Sequence, residues 1–351
     1  MPPPLTTATL IVEHPMRKAL SLLLVPVLAL ACSASSTSTP AQQGPLPGTP
    51  VRKGPPPFSV GSFKATPPAV TLAPGEEQSP CFIVPLELPA ASKIVGGARL
   101  VVGKGMHHGN ITTRPRTAGD GPRPCVKDDN AFGGEAVDVA AGGAVLFGSS
   151  TQFSGEEWQG FPEGMGYRLK DGFEIVLRMH YLNTTPAPVT VQPTYEWFVI
   201  DEKKMKQEVA PFTWIYTSFR IPPKAQNYEI RGQCKIPRPM HIIQVLPHMH
   251  RMGRSITSGY VGGPKDGQLW LSSRGYDPDN GVMVAYDPAI DTSVSEELFF
   301  TCAWNNSTNK ELVWGIGDDE MCQIFGYAWP PEAAYSLIAS AHSCAAIVNS
   351  R

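Results

Sequence analysis

Along the chain, hydrophobic residues come in short alternating runs broken by glycine and proline. The clearest run is 171–185, DGFEIVLRMHYLNTT. Phe173, Ile175, Leu177 and Met179 fall on one face and Glu174, Val176, Arg178 and His180 on the other, the period-two pattern of a half-buried strand. Two β-like runs flank a turn in 81–103, CFIVPLELPAASKIVGGARLVVG. Near the end, Asn305-Asn306-Ser307-Thr308 separates two more, with Cys302 and Cys322 on either side. Gly (33) and Pro (36) are abundant and long helix-like periodic stretches are hard to find. The pattern therefore predicts an all-β chain of short strands joined by turns. No internal repeat stands out.

The N-terminal 1–32 breaks this pattern. From Met16 the chain reads MRKALSLLLVPVLALAC, with Arg17 and Lys18 before an apolar run that ends in small residues at Cys32. That is the layout of an export signal, with Met16 as the expected initiator. Ala29-Leu30-Ala31-Cys32 resembles a bacterial lipobox, in which the cysteine is lipidated and becomes the mature N-terminus, although Leu is usual where Ala29 stands. Ordinary cleavage before an unmodified Cys32 is the alternative, and both readings export the protein to a membrane-anchored or secreted location. Residues 33–57, SASSTSTPAQQGPLPGTPVRKGPPP, are Ser/Thr-rich and then Pro-rich, the composition of a tether. The folded part is expected to divide into 58–203 and 204–351, with the charged run at 201–208 as a linker.

At 351 residues the chain is long enough for two domains that each bury a core, and a single large β-domain is the alternative. A charged fraction of 17% and a net charge of −2 give no basic surface for nucleic acid, which leaves small molecules or proteins as partners. Later apolar runs are too short to span a bilayer, so any membrane attachment is expected through Cys32 alone. Apart from Cys32, the cysteines are Cys81, Cys125, Cys234, Cys302, Cys322 and Cys344. An even number in an exported chain reads as disulfides, whose pairing the sequence alone does not choose. None forms a Cys-x-x-Cys pair, which speaks against zinc-ribbon and thioredoxin chemistry.

Histidine supplies the candidate chemistry. His107 and His108 are adjacent between Gly105 and Gly109. Neighbours on a regular strand point to opposite faces, so both reach one ion only if the backbone bends there, which the glycines permit. His180 lies on the polar face of its strand. In LPHMHRMG, His248 and His250 project to one side if the stretch is extended. Each of these also fits an ordinary surface or packed histidine, and a lone Met321 also fits core filler.

Their order is more specific. His-His, then MHY, then His-x-His, then DEMC, in a chain with paired cysteines, resembles the copper type II, ascorbate-dependent monooxygenases, the family of the peptidylglycine α-hydroxylating and dopamine β-hydroxylating enzymes. HMHRMGRSITSGY and NNSTNKELVWGIGDDEMC are the most telling pieces, and the resemblance spans roughly residues 70–345. It implies two jelly-roll-like β-sandwich domains facing each other across a solvent-filled cleft. It also implies two coppers: an electron-transfer ion on His107, His108 and His180, and an oxygen-binding ion on His248, His250 and Met321. The implied disulfides are Cys81–Cys125, Cys234–Cys344 and Cys302–Cys322. His241 matches a family histidine near the second site and is expected to support it. The implied reaction inserts one atom of O2 into a C–H bond of a small-molecule substrate, with ascorbate as electron donor.

The ligand types agree with copper on their own chemistry. Imidazole suits copper and a thioether favours Cu(I), whereas a methionine ligand makes little sense for zinc, and blue copper needs a thiolate. The chain departs from the peptide-amidating branch at two places. Leu246 stands where that branch has an Arg that grips a substrate carboxylate, and Phe325 stands where it has a pocket Tyr. Losing the guanidinium removes a strong bidentate contact, which points to an apolar or aromatic substrate. The same changes leave open an exported copper-binding or electron-transfer protein without hydroxylase activity, and a metal-free structural sandwich is the third reading.

Overall fold

In a computed structural model of the chain, the described residues are 49–348, apart from 118, 120, 127–137, 139, 140, 150–152, 274, 275, 277–282, 316, 317 and 341–343. The signal segment with Met16 and Cys32, and the first part of the tether, lie outside them. The described residues fall in one compact unit built from β-strands, as the alternating pattern predicts.

The first half contains two six-stranded sheets. One runs Gln207–Glu208, Met165–Arg168, Ile94–Val102, Thr194–Ile200, Ser59–Ala65, with Gly155–Gly160 also on Ile94–Val102. The other runs Arg123–Pro124, Cys81–Pro85, Phe173–Leu182, Met106–Pro115, Val145–Gly148, with Glu77–Gln78 on Phe173–Leu182. Leu100, Tyr195 and Trp197 of one sheet and Ile111, Ile175 and Leu177 of the other share a core, so the half is a sandwich. In the second half a seven-stranded sheet, which includes His241–His248, Gln323–Trp329 and Ala210–Tyr216, shares a core with the four strands Tyr228–Lys235, Glu297–Trp304, Gly253–Val261 and Leu269–Ser272. The disulfides are Cys81–Cys125, Cys234–Cys344 and Cys302–Cys322, the set that the resemblance implies.

The structure departs from the sequence expectations in several places. Phe173–Leu182 is buried on both faces. Its polar face is covered because Arg114 and Arg123 pair with Glu174 at 2.9 and 2.7 Å, and Asp138 pairs with Arg178 at 2.7 Å. From residue 49 the expected tether is packed. Thr49–Pro50 pairs with Val284–Asp291 at a sheet edge, where proline is tolerated. A Cβ on Gly160 would fall 2.4 Å from the Arg52 carbonyl oxygen, so the missing side chain makes room for the segment. The run read as a linker forms a short 3-10 turn at Glu202–Lys204 and then a strand, Gln207–Glu208, on the first sandwich.

A repeat also emerges that the sequence hides. Asn183 Nδ2 donates to the carbonyls of Leu72, Ala73 and Ala187 at 3.2, 3.0 and 2.8 Å, while its Oδ1 accepts from Thr185 N at 2.9 Å. In the second half, Asn306 Nδ2 donates to Ile221, Pro222 and Lys310 at 3.3, 2.9 and 2.8 Å, and its Oδ1 accepts from Thr308 N at 2.9 Å. Each asparagine closes a turn beside a two-stranded sheet, Val70–Leu72 with Val189–Val191 or Arg220–Ile221 with Leu312–Val313. The two halves thus share a turn that rests on little more than Asn-x-Thr.

The halves meet along an apolar seam rather than only across an open cleft. Ile243, Leu246, Met283, Phe325 and Tyr327 of the second half join the core of the first. Tyr327 stands edge-on to Phe161 at 4.6 Å and stacks on Tyr167 at 5.6 Å. Fully burying one such aromatic contributes about 1.5–3 kcal/mol.

Candidate metal centre

The first histidine set forms where the two central strands of its sheet pair. His180 lies opposite His108, and the register then shifts so that Tyr181 lies opposite Met106, which leaves His107 as the extra residue of a bulge. That is the bend two adjacent histidines need. Gly105 permits it at φ 96°, with Val191 so close that a Cβ would fall 2.6 Å from it. One ligand nitrogen from each of His107, His108 and His180 falls within 4.8 Å of the others. Glu77 hydrogen-bonds Nε2 of His180, and the buried Nδ1 has no partner among the described residues.

The second set assembles at a strand end. His241–His248 stops at His248 because Tyr276 Oη donates to Met249 O at 3.1 Å and accepts from Met249 N at 2.9 Å. His250 therefore lies in a turn rather than on the extended strand that the spacing suggested, and its ring still reaches 5.3 Å from that of His248. Glu320 holds the turn, accepting from His250 N at 3.0 Å, Met252 N at 2.7 Å and Trp304 Nε1 at 2.9 Å. His250 Nδ1 lies 2.7 Å from the Asp319 carbonyl, to which it donates, and its buried Nε2 has no partner among the described residues. His248 pairs with Gln323, and the same antiparallel register continued outward brings the buried Met321 to the His250 end of the sheet.

The two sets adjoin. The His108 ring is 5.5 Å from His248 and 5.6 Å from His250, so at this point the expected solvent-filled cleft is closed. Burial lowers the pKa of His108 well below the ordinary histidine value, reinforced by the neighbouring imidazoles. Burial likewise lowers His180 against the opposing pull of Glu77, His250 against that of Asp319, and His248 to about 3. All four are neutral at pH 7, with lone pairs ready for a cation.

The donor atoms suit a metal. Buried imidazole nitrogens are normally hydrogen-bonded. Here Nδ1 of His108, Nδ1 of His180 and Nε2 of His250 are left over, while Glu77 and Asp319 occupy the other nitrogen of two of those rings, as carboxylate and carbonyl groups do behind metal-bound histidine. Neutral imidazole plus thioether is a copper-type set. His241 does not belong to it. It sits at the far end of the strand that ends in His248, about 23 Å away at ordinary strand rise, and stacks on Trp329 at 3.8 Å. The expectation that it supports the second site is therefore corrected. Three supporting residues were missed. Asp319 and Glu320 lie in the telling DDEMC stretch, whereas nothing in the sequence singles out Glu77, which reaches His180 only through strand pairing.

Residues 211–348 match the family described as copper type II ascorbate-dependent monooxygenase, C-terminal domain. None of the curated proteins compared is a match. Among solved structures, the chain is similar to VP54 of PBCV-1 fitted into a reconstruction of the virophage Sputnik, at 7% identity over 80% of this chain and 95% of that one, with a TM-score of 0.24. It is also similar to the PBSX exported protein XepA at 9% over 76% and 86%, TM-score 0.20. VP2 of infectious bursal disease virus follows at 11% over 80% and 74%, TM-score 0.19. Likenesses at these scores carry no weight for fold or function.

Proposed function

Because residues 211–348 belong to the C-terminal domain family of the copper type II ascorbate-dependent monooxygenases, we propose that the whole chain is a copper monooxygenase that hydroxylates a C–H bond of a small organic molecule with O2 and ascorbate. The observation that carries this reading is the pair of adjoining donor sets with their unpartnered buried nitrogens. Copper, two ions per chain in this family, supplies the one-electron redox chemistry that uses O2. In this reading His107, His108 and His180 hold one ion, and His248, His250 and Met321 the other. Glu77 fixes the His180 ring with Nδ1 facing inward, and the Asp319 carbonyl does the same for Nε2 of His250. Glu320 ties the His250 turn to the strand entry that bears Met321. Burial keeps the imidazoles neutral and excludes water from the join between the sets. We also infer export, with which the three disulfides agree, and a lipid on Cys32, for which mass spectrometry of the mature N-terminus is the test.

One observation favours the non-enzymatic alternative, an exported copper-binding or electron-transfer protein. Leu246 and Phe325 lie against Gly148 of the first half, and neither offers the polar grip that the amidating branch has at these positions. Copper-loaded protein given ascorbate and heavy-isotope O2 in a metabolite mixture separates the two readings, since a labelled hydroxyl on a product requires the enzyme. Met321→Ile is expected to weaken Cu(I) retention at its own site and abolish turnover. His180→Ala should leave carbon monoxide binding at the second site but block repeated turnover. Loss of both coppers together in each variant overturns the division into two sites.

A further inference from the structure

The seam carries two amides that neither the core nor the histidine sets use. Gln244 is fully buried and Gln159 is 2% exposed. Among the described residues, neither amide atom of Gln244 has a hydrogen-bond partner, nor does Oε1 of Gln159. A buried amide without a partner has given up water for nothing, a cost that native proteins seldom leave standing.

Both amides face the same patch. Gln244, Leu246 and His248 alternate on one face of their strand, the face whose Leu246 joins the first half's core. Across the ladder, Gln244 lies opposite Tyr327 and Leu246 opposite Phe325. On the other side of the seam, Gln159 Nε2 donates to the Gly148 carbonyl at 2.6 Å. A Cβ on Gly148 would lie 3.5 Å from Phe325 and 3.8 Å from Leu246, so Gln159 is anchored to the residue that these two apolar side chains touch. From Gln244 to His248 is about 13 Å along the strand, with Leu246 between.

We propose that Gln159 and Gln244 recognise a neutral amide at one end of the substrate, whose apolar body lies along Leu246 and Phe325 toward the histidine sets. The free atoms decide the class. Two carbonyl oxygens and one NH2 suit a group that both donates and accepts. A carboxylate would meet two acceptors and no cation, and a hydrocarbon would leave all three atoms unsatisfied. This inference rests on the monooxygenase reading, because it names the class of molecule that such a site takes.

The test is calorimetric binding of octanamide and octanoate to copper-loaded full-length protein. Wild type is expected to bind octanamide at least tenfold tighter than octanoate, and Gln244→Leu to reduce that preference below twofold. Ligand-free Gln244→Leu should melt higher than wild type, since an apolar side chain of similar size replaces an unsatisfied amide. Gln159→Leu is measured in parallel and reports the same preference if Gln244→Leu does not fold. Equal binding of the two probes, binding of neither, or an intact preference in the variants overturns the proposal. Ascorbate-dependent O2 uptake separates the two readings. An amide preference without O2 uptake overturns the monooxygenase and keeps the site, whereas O2 uptake without an amide preference does the opposite.

Discussion

Replacing Glu320 by alanine tests how the turn that carries His250 is held, and it has a signed dependence on pH. The side chain is 1% exposed and accepts from three buried N–H groups. Alanine leaves all three without an acceptor, at about 1–3 kcal/mol each, and relaxation of the turn brings the expected total to about 5 kcal/mol. Against this stands the cost of burying the acid. Burial raises its pKa from 4.5 to about 7, against the opposing hydrogen bonds, chiefly those from Met252, Trp304 and His250. The folded state thus keeps a proton that the unfolded chain releases. The group's contribution to stability is full below pH about 4.5 and is lost as pH rises through about 7. At about 1.4 kcal/mol per pH unit the loss is about 3 kcal/mol. The variant has no such group, so its destabilisation should be about 5 kcal/mol near pH 5 and only about 2 kcal/mol near pH 8. Urea unfolding followed by tryptophan fluorescence, on metal-free protein with its disulfides intact, reads both values. A destabilisation larger at pH 8 than at pH 5 would refute the reasoning, because the donors rather than burial would then set the ionisation of Glu320.

The histidines titrate with the opposite sign. His108, His180, His248 and His250 are all held below 6.5, so their contribution is full above about pH 6.5 and is lost as pH falls below it, down to about 3 for His248. With four such groups against one Glu320, the metal-free protein should melt progressively lower from pH 7 to pH 4, and a flat profile by scanning fluorimetry counts against their burial. Converting Cys234 and Cys344 to serine should cost about 5 kcal/mol, and converting Cys302 and Cys322 about 3 kcal/mol, because the first pair closes a separation of 110 residues and the second one of 20. Denaturant midpoints in the reverse order would show that strain or residual unfolded structure outweighs chain entropy. Asn183→Ala and Asn306→Ala should each cost about 3 kcal/mol, since each removes several buried hydrogen bonds. A gap of more than about 2 kcal/mol between them, read from urea midpoints, would deny that the two turns are equivalent.

What was legible from the residues was whatever depends on neighbours along the chain. The alternation in 173–182 marked a strand, because side-chain direction in an extended backbone follows residue parity. The Gly105-flanked histidines announced a bend, and the histidine order with DEMC marked the candidate ligands before any strand was paired. Parity has limits, however. It placed His248 and His250 on one extended strand, whereas Tyr276 and Glu320 end that strand and turn it. A matching position suggested His241 as a support, whereas the direction of its strand carries it some 23 Å away. Which nitrogen of each ring is left free, and for what, was decided by Glu77 and the Asp319 carbonyl, groups that strand pairing and loop packing bring in. The repeated asparagine turns escaped notice because their partners are backbone carbonyls, which any sequence can supply. The seam, with Leu246 and Phe325 against Gly148 and two glutamines buried beside them, exists only where the two sandwiches touch. Burial is a property of both surfaces together, and no single stretch of the chain records it.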